Sequence, residues 1–110
     1  MKEQKVAFID IKLKETFESL AESSEKNLAK FINRAIDDLK KDPYCGVHIS
    51  RKLIPKKYIQ DPNISNLWKY NLPNAWRLLY TIKQNRIEII SIILEWMTHK
   101  DYDRLFNYNS

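Results

Sequence analysis

Few side chains in this chain could carry chemistry, and the two best suited to act together are Arg77 and His99. A planar guanidinium makes two aligned hydrogen bonds to a phosphate, so Arg77 suits the task of holding a phosphodiester as charge builds on it. Histidine is the side-chain type that gains and loses a proton near neutral pH, which makes His99 the first candidate for base or acid. Cleavage of RNA by its own 2′-hydroxyl needs only a base for the hydroxyl proton, a cation for the phosphate and an acid for the leaving 5′-oxygen. Neither a metal nor a cofactor is required. The plainer alternatives are an arginine in a sheet-surface ion pair and a histidine at the surface or capping a strand end. The one cysteine, Cys45, has only His48 and His99 for company and no zinc-ligand spacing, and it reads as a small packing residue.

The distribution of charge points the same way. Residues 1 to 43 carry nine basic and nine acidic side chains, which cancel. Residues 44 to 86 carry eight cations, Arg51, Lys52, Lys56, Lys57, Lys69, Arg77, Lys83 and Arg86, against the single acid Asp61, a local balance of +7. Tyr44, Tyr58, Trp68, Tyr70, Trp76 and Tyr80 are interleaved with them. Such a segment can neutralise phosphates and stack on bases, with Arg51, Lys52, Lys56, Lys57, Lys83 and Arg86 as the RNA-binding set. It equally describes a solvated basic face over an aromatic core, and an acidic protein segment is a second kind of partner. Trp68, Trp76 and Trp96 read as core residues.

The elements that must position these groups follow from periodicity. Three apolar, β-branched and aromatic runs, Ile64 to Leu72, Ala75 to Lys83 and Arg86 to Trp96, are separated by Pro73-Asn74 and Gln84-Asn85, the pattern of two consecutive hairpins. The third run is apolar on both faces and suits a central strand. A first strand is expected over Lys5 to Ile11, filling both faces of its pleat. Leu13, Phe17, Leu20 and Ala21 then fall at helical spacing. Ser23 or Ser24 is placed to cap a second helix, whose stripe is Leu28, Phe31, Ile32, Ala35, Ile36 and Leu39 and which Asp42-Pro43 ends. Residues 44 to 63 are irregular, with a turn at Gly46 and a short turn of helix from Leu53-Ile54-Pro55 through Tyr58 and Ile59. The sum is one α+β domain with two N-terminal helices on one face of a small, mainly antiparallel sheet, leaving the other face open for binding. At 110 residues a single core is expected. No apolar run approaches the ~20 residues of a membrane helix, and a cytoplasmic protein with no membrane partner is expected.

The Ala75-Trp76-Arg77-Leu78-Leu79-Tyr80 strand, followed by an apolar strand that runs out into Trp96-Met97-Thr98-His99-Lys100-Asp101-Tyr102, resembles the RelE/ParE superfamily of toxin–antitoxin toxins. The resemblance implies a RelE-like βααβββ fold over residues 1 to 110, a cognate antitoxin as partner, and one of two activities. RelE-like members are mRNA interferases that enter the ribosomal A site and cleave mRNA; ParE-like members inhibit gyrase. Arg77 matches the arginine that contacts the scissile phosphate, Tyr102 the C-terminal tyrosine, and His99 with Lys100 the basic pair of other branches. Lys69 matches the first of two strand lysines, while the place of the second falls near Asn71. The catalytic set implied is therefore Arg77, His99, Lys100, Tyr102 and Lys69. A non-catalytic RNA-, ribosome- or protein-binding module on the same scaffold and a gyrase inhibitor remain as alternatives, favoured by the missing lysine and by Glu95, Asp101 and Asp103. The length of the 73 to 74 turn bears on the site. A two-residue loop pairs Lys69 with Leu78, on the face away from Arg77; a three-residue loop with Asn74 left-handed is expected to set Lys69 opposite Arg77.

Overall fold

Asp10 separates the first strand from the first helix. Its backbone is extended and its Oδ1 accepts from the Leu13 N–H at 2.8 Å, so it closes β1 (Glu3–Phe8) and caps α1 (Ile11–Leu20). The computed structural model describes residues 2 to 107; of the expected domain, residue 1 and residues 108 to 110 lie outside that range. α2 (Lys26–Lys41) follows, then β2 (Val47–Ile49), a 3-10 turn at Arg51–Leu53, the single turn α3 (Lys56–Ile59), β3 (Leu67–Leu72), β4 (Trp76–Gln84), β5 (Glu88–Thr98) and α4 (His99–Asn107). The five strands form one mixed sheet in the order β1-β5-β4-β3-β2, with β1 parallel to β5 and every other pair antiparallel. The fold is α+β. Among the described residues no helix is long and apolar enough to cross a membrane.

β5 is an inner strand, as its two-faced apolar run requires. Side chains alternate along β4, so that Leu78, Tyr80 and Ile82 enter one core and Leu79 another. On the first face the buried α2 residues Leu28, Ile32, Ala35 and Leu39 pack with those of β4, while Phe31, Ile36 and the α1 residues Leu13, Phe17 and Leu20 flank them. Tyr70 on β3 ties helix to sheet by donating its hydroxyl hydrogen to Asp38 Oδ2 on α2.

Several expectations need correction. The second face is not open: Ile49, Tyr58, Leu67, Leu79 and Met97 are buried there, flanked by Ile54, Ile64 and the α4 residues Tyr102, Leu105 and Phe106. The irregular basic segment thus folds back as a lid because its own apolar residues need a surface. It also contributes β2, a strand too short to leave a periodic signal. β1 fills only one face, since Val6 and Phe8 are half-buried while Lys5, Ala7 and Ile9 are exposed. Neither Ser23 nor Ser24 caps α2. Glu25 holds the cap position without a side-chain hydrogen bond, and Ser23, two residues before it, accepts through Oγ from the Glu25 N–H itself. Cys45 is exposed and packs no core.

Gly46 is required by space. A Cβ there would lie 2.5 Å from the Lys69 carbonyl oxygen and 2.5 Å from Tyr80 Oη. The Tyr80 hydroxyl donates to the Pro43 carbonyl at 2.8 Å and accepts from the Gly46 N–H at 3.2 Å, pinning the chain against β3. Gly46→Ala is therefore expected to destabilise the protein by about 1–3 kcal/mol, read from the urea midpoint at unchanged slope. A midpoint equal to the parent's would show that no such clash exists. Burial, then the bond to Asp38, pushes the Tyr70 phenol up to about 12 from 10.0. An unfolded phenol ionises first, so this contribution to stability is intact below pH ~10 and is lost as pH rises through about 12. Thermal scans should show melting temperature falling over that interval, and less steeply for Tyr70→Phe.

Candidate active site at the turn end of the sheet

The site is set by the β3–β4 turn. Leu72 pairs with Trp76, so the loop is the three residues Pro73, Asn74 and Ala75, and both Asn74 (φ 59°) and Ala75 (φ 62°) are left-handed. Asparagine tolerates this region; alanine pays a steric cost. The resulting register places Lys69 opposite Leu79 and Asn71 opposite Arg77. The expected three-residue loop with a left-handed Asn74 is present, but Lys69 does not face Arg77 directly. The two are diagonal neighbours on the same face, about 7–8 Å apart at the backbone, within reach of two long side chains. Asn71, near which the resemblance places a second strand lysine, is the residue directly across from Arg77.

α4 brings the remaining groups to this end. Its first residue, His99, donates its N–H to the Ala75 carbonyl at 2.6 Å, so the helix starts against the strained turn. Thr98 Oγ1 accepts from the Asp101 N–H at 3.2 Å and caps it. Arg77 Nη1 donates to its neighbour's carbonyl, Trp76 O, at 3.0 Å, and Nη2 meets His99 Nδ1 at 3.2 Å. His99 Nε2 lies 3.0 Å from Asp103 Oδ2, one helical turn on. Lys69 Nζ sits over the Tyr102 ring, 5.1 Å from its centroid, and that ring stacks on Phe106 at 4.2 Å. Burial raises the Tyr102 phenol above its ordinary value, the Arg77 cation pulls it back and Asp103 adds to the rise. The phenol is a neutral hydrogen-bond donor at physiological pH.

The structure thus brings together four of the five expected catalytic residues, Arg77, Lys69, His99 and Tyr102. Lys100 follows His99 on α4 but is exposed and turned about 100° around the helix, with no ion pair among the described residues. Arg77 and Lys69 likewise have no carboxylate partner among the described residues. The six expected RNA-binding cations do not form one patch. Lys83, six residues along β4 from Arg77, lies about 20 Å away, and Arg86 lies in the turn beyond it. Arg51 and Lys52 sit on the 3-10 turn and Lys56 and Lys57 on α3. Lys57 is engaged by Glu95 at 2.7 Å and lies over the Tyr58 ring. Glu95 is opposite Leu79 on β5, and so belongs to the site face. Trp68, Trp76 and Trp96 flank the helix-covered core, as expected of core residues. No group of three His, Cys, Asp or Glu among the described residues could hold a metal.

Sequence reading missed Asp103 and Glu95 as members of the site. The His99–Asp103 spacing of four was visible, but it has meaning only if the segment is helical. Comparison with protein families, curated proteins and solved structures finds no match. Fold and site together define a small α+β domain carrying a cation–imidazole–phenol cluster where a hairpin turn meets the C-terminal helix.

Because Ala75 carries the unfavourable left-handed backbone, Ala75→Gly is expected to raise stability by about 0.5–1 kcal/mol. Equilibrium denaturation checks it, and a loss of stability would mean that Ala75 is not held left-handed.

Proposed function

We propose that this protein is a RelE-like toxin, a metal-independent mRNA interferase that cleaves ribosome-bound mRNA in the cytoplasm and is neutralised by a cognate antitoxin. The observation that carries the reading is the convergence of Arg77, Lys69, His99 and Tyr102 on one sheet face, with two cations lacking a carboxylate partner among the described residues. Arg77 clamps the scissile phosphate, with Lys69 beside it; His99 or Lys100 handles protons, and the neutral Tyr102 hydroxyl stands near. The RelE-like βααβββ arrangement belongs to the same proposal, with β2 and α3 as insertions before the two hairpins. Substrate approach along the 51 to 57 segment would use Arg51, Lys52 and Lys56.

A second reading, a non-catalytic RNA- or ribosome-binding scaffold or a ParE-like gyrase inhibitor, is favoured by Asn71. It faces Arg77 with an uncharged amide where the resemblance calls for a second cation.

Loss of a charged contact made in the transition state costs roughly 10²–10³ in rate. Arg77→Ala should therefore nearly abolish cleavage of ribosome-bound mRNA while the far-ultraviolet spectrum is unchanged, and His99→Ala should cost less. Expression of the wild type should arrest growth and co-expression of the antitoxin should rescue it. Wild-type protein that binds RNA or ribosomes yet neither cuts mRNA nor arrests growth would leave the scaffold reading in its place; inhibition of gyrase supercoiling would select the ParE-like one.

A further inference from the structure

Guanidinium has only donors, so the 3.2 Å contact from Arg77 Nη2 requires a lone pair on His99 Nδ1. A carboxylate only accepts, so the 3.0 Å contact between Nε2 and Asp103 Oδ2 requires the ring hydrogen on Nε2. Both contacts demand the same tautomer. They come from different elements, β4 and α4, whose relative placement is held by the His99 N–H to Ala75 carbonyl bond. The His99 and Asp103 side chains are 52% and 49% exposed, so their pairing adds little to stability. Its effect is on orientation.

We propose that Asp103 is the positioning residue of this site: by accepting the Nε2 hydrogen it keeps His99 Nδ1 as the bare nitrogen, held against Arg77 until a phosphodiester draws the guanidinium away. The proposal rests on the nuclease reading for its chemistry, but not for its geometry. In the resting protein neither ring nitrogen is free, since Arg77 occupies Nδ1 and Asp103 occupies Nε2. A phosphate between Arg77 and Lys69 competes for the guanidinium hydrogens and releases Nδ1 beside the ribose. The 2′-oxygen then bonds to phosphorus, its proton passes to Nδ1, the P–O5′ bond breaks with its electron pair on the 5′-oxygen, that oxygen takes a proton from water, and the hydroxide left behind takes the Nδ1 proton and restores neutral His99. The products are a 2′,3′-cyclic phosphate and a 5′-hydroxyl. While it is charged the imidazolium keeps its Nε2 hydrogen bond to Asp103, so the ring does not turn as it gains and loses the Nδ1 proton.

Long-range 15N–1H spectra of the full chain separate protonated from bare ring nitrogens, and exposed His48 serves as the internal reference. In wild type, and in Arg77→Ala where Asp103 alone directs the ring, His99 should carry its hydrogen on Nε2. In Arg77→Ala/Asp103→Asn it should relax to the tautomer mixture of His48. Asp103→Asn alone should lower kcat for cleavage of ribosome-bound mRNA on the order of tenfold with KM unchanged, because Arg77 and Lys69 still hold phosphate. Asp103→Glu should restore much of it. A hydrogen on Nδ1 in wild type, a double variant whose tautomer matches Arg77→Ala, or an Asp103→Asn enzyme with unchanged kcat would each overturn the proposal. Protein that cuts no RNA refutes the reaction steps, and the spectra then decide by themselves whether Asp103 directs the ring.

Discussion

Two consecutive left-handed residues, Asn74 and Ala75, control the geometry on which the site depends. A loop one residue shorter would flip β3 relative to β4 and send Lys69 to the helix-covered face. With three residues in the turn, the odd positions 69, 71, 77 and 79 share the site face, and the Ala75 carbonyl receives the first N–H of α4. Register and helix placement are thus fixed at one point. The strain at Ala75 is offset by that anchor, which explains why a residue with a Cβ can persist there.

The sheet has no idle face. α1 and α2 bury Leu78, Tyr80 and Ile93 on one side, while the 50 to 64 segment and α4 bury Leu67, Leu79 and Met97 on the other. This second cover is thinner, being made of a 3-10 turn, one turn of α3 and a nine-residue helix. It is also where the cations are. The basic segment therefore has two tasks at once, closing a small core through Ile54, Tyr58 and Ile64 and presenting charge around it. Gly46 lets the segment start close to β3, and Lys57–Glu95 fastens it to β5.

Electrostatically, one cation of the +7 middle segment is paired near the site, and α4 adds two pairs of its own. Lys57 is matched by Glu95, Arg104 by Asp101 and His99 by Asp103. On the site face Arg77 and Lys69 have no carboxylate partner among the described residues, and they lie as diagonal neighbours across β3 and β4. Tyr102 packs beneath Lys69, and burial raises its phenol further above the ordinary value.

The sequence by itself determined those features that depend on local pattern. The α2 stripe, the two hairpins, the inner position of β5, the helical turn through Tyr58 and the helix stop at Asp42-Pro43 follow from periodicity and turn chemistry, which act within a few residues. Arg77 and His99 could be singled out in the sequence because guanidinium and imidazole are distinctive side chains, and the structure brings the two into contact. Tertiary structure alone decided that β1 joins β5 in parallel, that a three-residue β2 exists, that the second face is covered, and that Lys83 and Arg86 lie far from Arg77. These depend on which surfaces remain unburied after the hairpins form, and no local period encodes that. The pairing of His99 with Arg77 on one side and Asp103 on the other belongs to the same class. Each partner was present in the chain, but the contact exists only because a left-handed turn and a helix start meet at the Ala75 carbonyl.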